Sequence, residues 1–163
     1  MGFYLAKQLS ESGGYNVKII ENDVERCKFL SEALPDVKVI NADGTDHDVL
    51  FEQGMENLDA FVALTTIDEE NIMLTLHAKQ VSNAKLITKI NRSTFKNVIS
   101  KLDLGSVIYP RYITSEAIIA YVRAKKNSTN SNIETLYHMF DNRAEAIEFC
   151  VDEPSSVTGI PLK

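Results

Sequence analysis

Ala60-Phe61-Val62-Ala63-Leu64 places five apolar residues in succession. Neighbouring side chains on a strand point to opposite faces of a sheet, so an uninterrupted apolar strand needs cover on both sides. That is the situation of a parallel strand between two layers of helices. The segments around it alternate accordingly. Phe3 to Ser12 reads as a helix closed by Gly13-Gly14, and Val17 to Glu21 as a strand. Asp23 can cap a helix that carries Cys27, Leu30 and Leu34 and is ended by Pro35. Val37 to Ile40 is strand-like, and Asp46 can cap a short helix through Val49, Leu50 and Phe51, stopped at Gly54. Asp68 opens a helix through Ile72, Leu76 and Ala78 to Val81, and Leu86 to Ile90 is a further strand. Ser93 can cap Phe95 to Leu102, and Ser106 to Tyr109 forms a strand ended by Pro110. Thr114 or Ser115 caps a last helix through Ile118, Ile119 and Val122. This alternation predicts an α/β, doubly wound parallel sheet with right-handed crossovers over residues 1–126.

Beyond that point the pattern changes. Residues 126–132 form a polar linker, and Ile133 to Phe140 and Ala144 to Val151 are strand-like around Asp141-Asn142-Arg143. Ile147, Phe149 and Val151 alternate with Glu148 and Cys150, as in a half-buried antiparallel strand. Residues 133–163 therefore read as the opening of a second, small α+β domain. The net charge is -6. The one basic cluster, Arg123, Lys125 and Lys126, falls at a helix end where cations suit the helix dipole, so no nucleic-acid partner is expected. No apolar run reaches the roughly 18 residues of a membrane span, and residues 1–10 lack a signal-peptide pattern. Cys27 and Cys150 stand far apart and read as reduced thiols. No two of His47, His77 and His138 have metal-ligand spacing in sequence, so no metal site is expected.

In a doubly wound sheet, ligands bind at the carboxyl ends of the strands. Glu21-Asn22-Asp23, Asp43-Gly44-Thr45, Thr65-Thr66 and Lys89 occupy those ends. An acid for ribose, an acid-glycine turn for adenine, two hydroxyls and a cation for phosphate make a coherent nucleotide set. Each also has a plain structural alternative: a solvated strand end, a generic turn, a helix cap and a surface cation. In the dinucleotide-binding Rossmann unit, the ribose acid lies about 20 residues past a glycine-rich turn. Counting back from Glu21 puts that turn at Met1-Gly2. The first strand and most of the phosphate loop are then missing, which in the order 3-2-1-4-5-6 leaves free edges on the second and fourth strands. The carboxylate of Glu21 opposes a 2′-phosphate and so disfavours NADP. Tyr121 and Lys125 match the Y-x-x-x-K pair of short-chain dehydrogenases, which keeps a NAD-dependent oxidoreductase as the alternative reading. That pair lies one crossover too late, and no general base stands at a strand end, so no catalytic residue is expected.

The runs Gly2 to Leu9, Ile19-Ile20-Glu21, residues 41–45, residues 63–71 and Lys89-Ile90-Asn91-Arg92 together closely resemble the Trk/Ktr potassium-uptake regulators, which carry an RCK (KTN) nucleotide-binding domain. Tyr109-Pro110-Arg111 and the strand-rich tail fit the same family. The resemblance implies a non-catalytic cytoplasmic regulatory subunit, held at the inner face of the membrane by its potassium-translocating partner. It implies NAD or NADH as ligand, with ATP or ADP as alternatives. Carried over by position, Gly2 is the last glycine of the phosphate loop and Glu21, with Asn22 beside it, holds ribose. Asp43 and Gly44 flank adenine, Thr65 and Thr66 line the wall, and Lys89 faces phosphate. The helix 113–125 becomes the contact of a homodimer, itself a unit of a ring. Without the first strand and earlier glycines, weak or absent nucleotide binding is expected.

Overall fold

A computed structural model describes residues 1–92, 94, 96–127, 133–139, 144–149, 151 and 159. The chain divides into two compact units, Met1–Pro110 and Arg111–Lys163. In the first, α1 (Gly2–Ser12), β1 (Lys18–Glu21), α2 (Val24–Ala33), β2 (Lys38–Asn41) and α3 (His47–Glu52) are followed by a 3-10 turn at Met55–Asn57. Then come β3 (Ala60–Ala63), α4 (Asp68–Val81), β4 (Lys85–Lys89), α5 (Lys96–Ile99) and β5 (Ser106–Ile108). Two parallel sheets result, β1-β2 and β3-β4-β5. Among the described residues β1 pairs only with β2 and β3 only with β4, so each keeps one free edge.

The sheet is covered on both faces, as the apolar runs require. On β1, Ile19 packs with Ala6 of α1 and Leu30 of α2, while the next residue, Ile20, packs with Leu50, Met55, Ala63 and Leu74. A third cluster, Ile90, Ile99 and Leu104 with Leu76 and Val107, closes the β5 side. Asp23 caps α2 as expected, its carboxylate accepting from the Arg26 N–H at 2.7 Å. Gly105 is the glycine that the backbone demands. It has φ +67°, and a Cβ there would stand 2.4 Å from the carbonyl oxygen of Leu86.

The second unit contains almost all of α6 (Pro110–Asn127) and the antiparallel hairpin β6 (Ile133–Met139) with β7 (Ala144–Phe149). Helix α6 starts earlier than the sequence suggests. Pro110 both ends the preceding strand and opens the helix, because a first-turn residue needs no N–H donor. Ser115 is consequently inside the helix, donating back to the Tyr112 carbonyl at 2.8 Å, and neither it nor Thr114 is the N-cap. The expected helix from Phe95 to Leu102 is the single turn Lys96–Ile99, and Ser93 and Phe95 lie outside the described residues. Asp68 opens α4 and Val81 ends it, as expected, with Ile67 in the N-cap place.

Candidate functional site

Parallel register sets Glu21 beside Asn41 at the carboxyl end of one sheet, and Lys89 beside Ile108 at that of the other. Glu21 is half-buried, and its Oε1 accepts the Asp23 N–H at 3.1 Å. Among the described residues its Oε2 has no protein partner, so one oxygen is open to a ligand. The backbone beneath is pinned: the Asn41 amide donates to the carbonyls of Glu21 and Asn22, both at 3.1 Å. Asn22 is exposed, and its own side chain makes no hydrogen bond among the described residues.

Asp43 is differently engaged. Its Oδ1 accepts the Thr45 N–H at 2.8 Å and the Thr45 hydroxyl at 2.7 Å. Those bonds, the backbone one foremost, hold the carboxyl below the ordinary value. Its first task is thus to close an Asx turn. Gly44 sits in that turn without a positive φ, and a Cβ there would meet Ile20 Cγ2 at an ordinary 3.7 Å. The glycine is not imposed by the protein's own backbone.

Gly2 and Lys89 meet at one residue. A Cβ added to Gly2 would lie 3.8 Å from Leu64 Cδ1, and the Lys89 ammonium donates to the Leu64 carbonyl at 3.4 Å. Gly2 is the first residue of α1, an 11-residue helix whose N-cap, Met1, offers no side-chain cap. The first N–H groups of such a helix have no partner within it and carry the positive end of the dipole. The α1 N-terminus and the Lys89 ammonium thus each lie against Leu64, just past the end of β3, and both kinds of group suit an anion.

Behind this rim, α4 turns a polar stripe inward. Asp68, Asn71, Thr75 and the Thr88 that it faces are all buried. Asn71 accepts the Thr65 N–H at 2.7 Å and donates to the carbonyls of Thr65 and Lys89 at 3.1 and 3.0 Å. It ties the ends of β3 and β4 together. Asp68 accepts from the backbone N–H groups of Asn91 and Arg92 at 2.8 and 2.9 Å, and from the Asn91 amide at 3.0 Å. Burial alone would raise its carboxyl, but these N–H donors and the Arg92 guanidinium hold it below the ordinary value. Arg92 also pairs with Glu69, whose hydrogen bond is the main reason the guanidinium is held above its ordinary value. Thr75 and Thr88 share a hydrogen bond at 2.7 Å, and Thr88 donates to the Leu104 carbonyl at 3.1 Å.

Seven of the eight residues read from the sequence thus separate by function. Glu21, Asn22, Thr66, Lys89 and the α1 terminus at Gly2 keep bonding capacity for a ligand. Asp43 and Thr65 are spent largely on the fold, the Thr65 hydroxyl bridging to the Ile67 backbone at 3.1 Å. Asp68, Asn71 and Arg92 have no role that the sequence alone assigns. For two of them a signal exists: polar residues at 68, 71 and 75 recur on the face that also carries Leu74 and Ala78.

A family model described as the TrkA-N domain matches residues 1–110. The chain is 33% identical over 162 residues to "Trk system potassium uptake protein trkA homolog 1" of Methanosarcina mazei, covering 99% of this chain and 38% of that protein. It is 36% identical over 148 residues to "Trk system potassium uptake protein TrkA" of Haemophilus influenzae, covering 91% of this chain and 31% of that protein. The chain thus spans about a third of the length of these curated relatives. Among solved structures, the NAD(P)-binding domain of an exopolyphosphatase-related protein from Archaeoglobus fulgidus superposes with a TM-score of 0.63 at 18% identity, covering 75% of this chain and 90% of that one. That likeness establishes the Rossmann-like fold. With the family model covering the whole first unit, the chain belongs to the TrkA-N domain family.

Proposed function

We propose that this chain is a nucleotide-binding regulatory module of a potassium uptake system, acting on a membrane-embedded partner without catalysis of its own. The observation that carries the ligand reading is the meeting of Gly2 and Lys89 at Leu64, with the open carboxylate oxygen of Glu21 on the same kind of strand end. A dinucleotide or adenine nucleotide fits: pyrophosphate over the α1 terminus and the Lys89 ammonium, ribose hydroxyls on Glu21 and Asn22, and Thr66 at the wall. NAD or NADH suits the acid better than NADP. Asp43 and Gly44 shape the floor under adenine. The relatives' names, which speak of potassium uptake, support the regulatory role. Nucleotide binding shifts such an assembly by favouring one of its states.

The same reading makes α6 a self-association helix. Ile113, Ile118, Ile119 and Val122 on it are exposed, an apolar surface that a second copy would cover. No helix of the described residues is long and apolar enough to cross a membrane. In the same reading the membrane-embedded partner holds this chain at the membrane's inner face.

The test is mapping of backbone amide shifts by NMR on titration with NADH, which detects weak complexes. Changes should concentrate at Gly2, Glu21, Asn22, Thr66 and Lys89, and Glu21→Gln should weaken them. No changes at millimolar NADH, or changes confined to other faces, would refute the site.

A further inference from the structure

Asn41 ends β2 opposite Glu21, its register partner on β1. The two carbonyls that its amide nitrogen reaches, those of Glu21 and Asn22, do not depend on it equally. The Glu21 carbonyl also accepts the Ala42 N–H at 3.1 Å and the Cys27 thiol at 3.2 Å. The Asn22 carbonyl has no other partner among the described residues. It belongs to the peptide unit whose other end is the Asp23 N–H, the donor that holds Oε1 of Glu21 at 3.1 Å. A peptide unit is planar, so fixing the direction of its carbonyl also fixes that of its N–H. One peptide thus stands between Asn41 and the carboxylate.

We propose that Asn41 is a positioning residue for ribose recognition: through the Asn22–Asp23 peptide it sets the Glu21 carboxylate for the ribose hydroxyls of a bound nucleotide. The inference rests on the nucleotide reading of the strand-end rim. The side chain suits the task, because an amide nitrogen carries two N–H donors and can serve two carbonyls at once. The Cys27 sulfur, at 3.5 Å, is the more distant third neighbour of that nitrogen. Hydrogen bonds linked in series polarise one another, so the amide strengthens the Asp23 N–H as a donor to Oε1. With Oε1 held in this way, Oε2 meets a ligand hydroxyl from a carboxylate that has already given up its rotamer freedom, which lowers the cost of binding. An ionised aspartate of the same shape has only acceptors and would turn negative oxygens on both carbonyls.

An acid at this place in a dinucleotide site addresses the ribose 2′-hydroxyl, so the test compares ADP with 2′-deoxyADP. Both are titrated by amide shifts on the parent chain, Glu21→Gln, Asn41→Ala and the double variant. The parent should prefer ADP by about tenfold or more, as for a hydrogen bond to a charged group. Glu21→Gln and Asn41→Ala should each remove most of that preference, and together no more than Glu21→Gln alone, because Asn41 acts through Glu21. A purely structural role for Asn41 would weaken both nucleotides alike and leave their ratio unchanged. In the parent chain, ADP should also move the Asp23 amide and the Asn41 side-chain amide resonances further than 2′-deoxyADP does, a readout that needs no variant to fold. An unchanged ratio in folded Asn41→Ala, with Glu21→Gln reducing it, overturns the role of Asn41 alone, as does equal movement of those resonances by the two nucleotides. A parent without preference, or an unreduced ratio in folded Glu21→Gln, overturns the nucleotide reading and this inference together.

Discussion

Replacing Asn71 by alanine should cost this domain more than its position on a helix suggests. The side chain is wholly buried, and its three hydrogen bonds join the ends of two strands. At about 1 kcal/mol each, the lost bonds amount to about 3 kcal/mol, and the stranded Thr65 N–H adds up to about 2 more. Domains of this size are stable by only about 5–15 kcal/mol, so the loss is a large share. With a urea dependence of about 1–3 kcal/mol per molar, the unfolding midpoint followed by circular dichroism should fall by about 1–5 M. Asn71→Asp separates the two halves of the interaction. It retains an acceptor for the Thr65 N–H but turns a second oxygen toward the carbonyls of Thr65 and Lys89. It should be at least as damaging as alanine at neutral pH, and should recover partly in acid, where the protonated carboxyl can donate. An alanine variant that loses less than about 1 kcal/mol would refute the clamp.

The Asp68 carboxyl is held below its ordinary value by the Asn91 and Arg92 N–H groups against the opposing effect of burial. A lowered folded value means stability that is complete above the unfolded carboxyl's value of about 3.9 and is lost as pH falls through the folded one. Asp68→Asn should therefore be less stable than the parent by about 2 kcal/mol at pH 7, with the gap in urea midpoint closing below about pH 4. Gly105→Ala and Gly13→Ala form a second pair. Both glycines have positive φ, but a Cβ at Gly13 meets nothing within 4 Å, whereas at Gly105 it meets the Leu86 backbone. Gly13→Ala should lose about 1–3 kcal/mol from backbone strain alone and Gly105→Ala more than that, measured by the same unfolding curves. Ile118→Glu on α6 should shift sedimentation toward monomer with the circular dichroism spectrum unchanged. An unshifted sedimentation profile removes that helix from the interface.

Much of the fold was legible because its causes are local. Alternating apolar segments, the Asp23 cap and the Gly13 stop are written in adjacent residues, and the parallel pairing of β1 with β2 and of β3 with β4 agrees with them. Legibility failed where one residue serves two elements. Pro110 was readable as an end, but it is equally fit to begin α6, and the choice depends on the direction the chain takes after it. Asp68 was readable as the opener of α4, which it is, but not as the residue whose oxygens are directed at the turn after β4, 23 residues further on. Which residues stand at the carboxyl ends of the strands was readable. Which rim residues still have a bond to offer was not, since Thr45 and Asn71 decide that for Asp43 and Thr65 through contacts set by turn geometry and helix facing.

Variants of the rim should divide along the same line. Asp43 and Thr65 hold the frame, so alanine there acts on stability first and on nucleotide only through a displaced turn. Glu21, Thr66 and Lys89 bear little of the frame: Glu21 closes one local turn, Lys89 makes one long contact, and Thr66 makes no hydrogen bond among the described residues. Glu21→Gln and Lys89→Gln should leave the unfolding midpoint within about 0.5 kcal/mol of the parent, as for surface changes, while weakening NADH in the amide-shift titration. The two losses should also add, because carboxylate and ammonium address different parts of one ligand, ribose and phosphate. If either substitution leaves NADH binding unchanged in a folded chain, that group does not touch the nucleotide, and the rim is not one site.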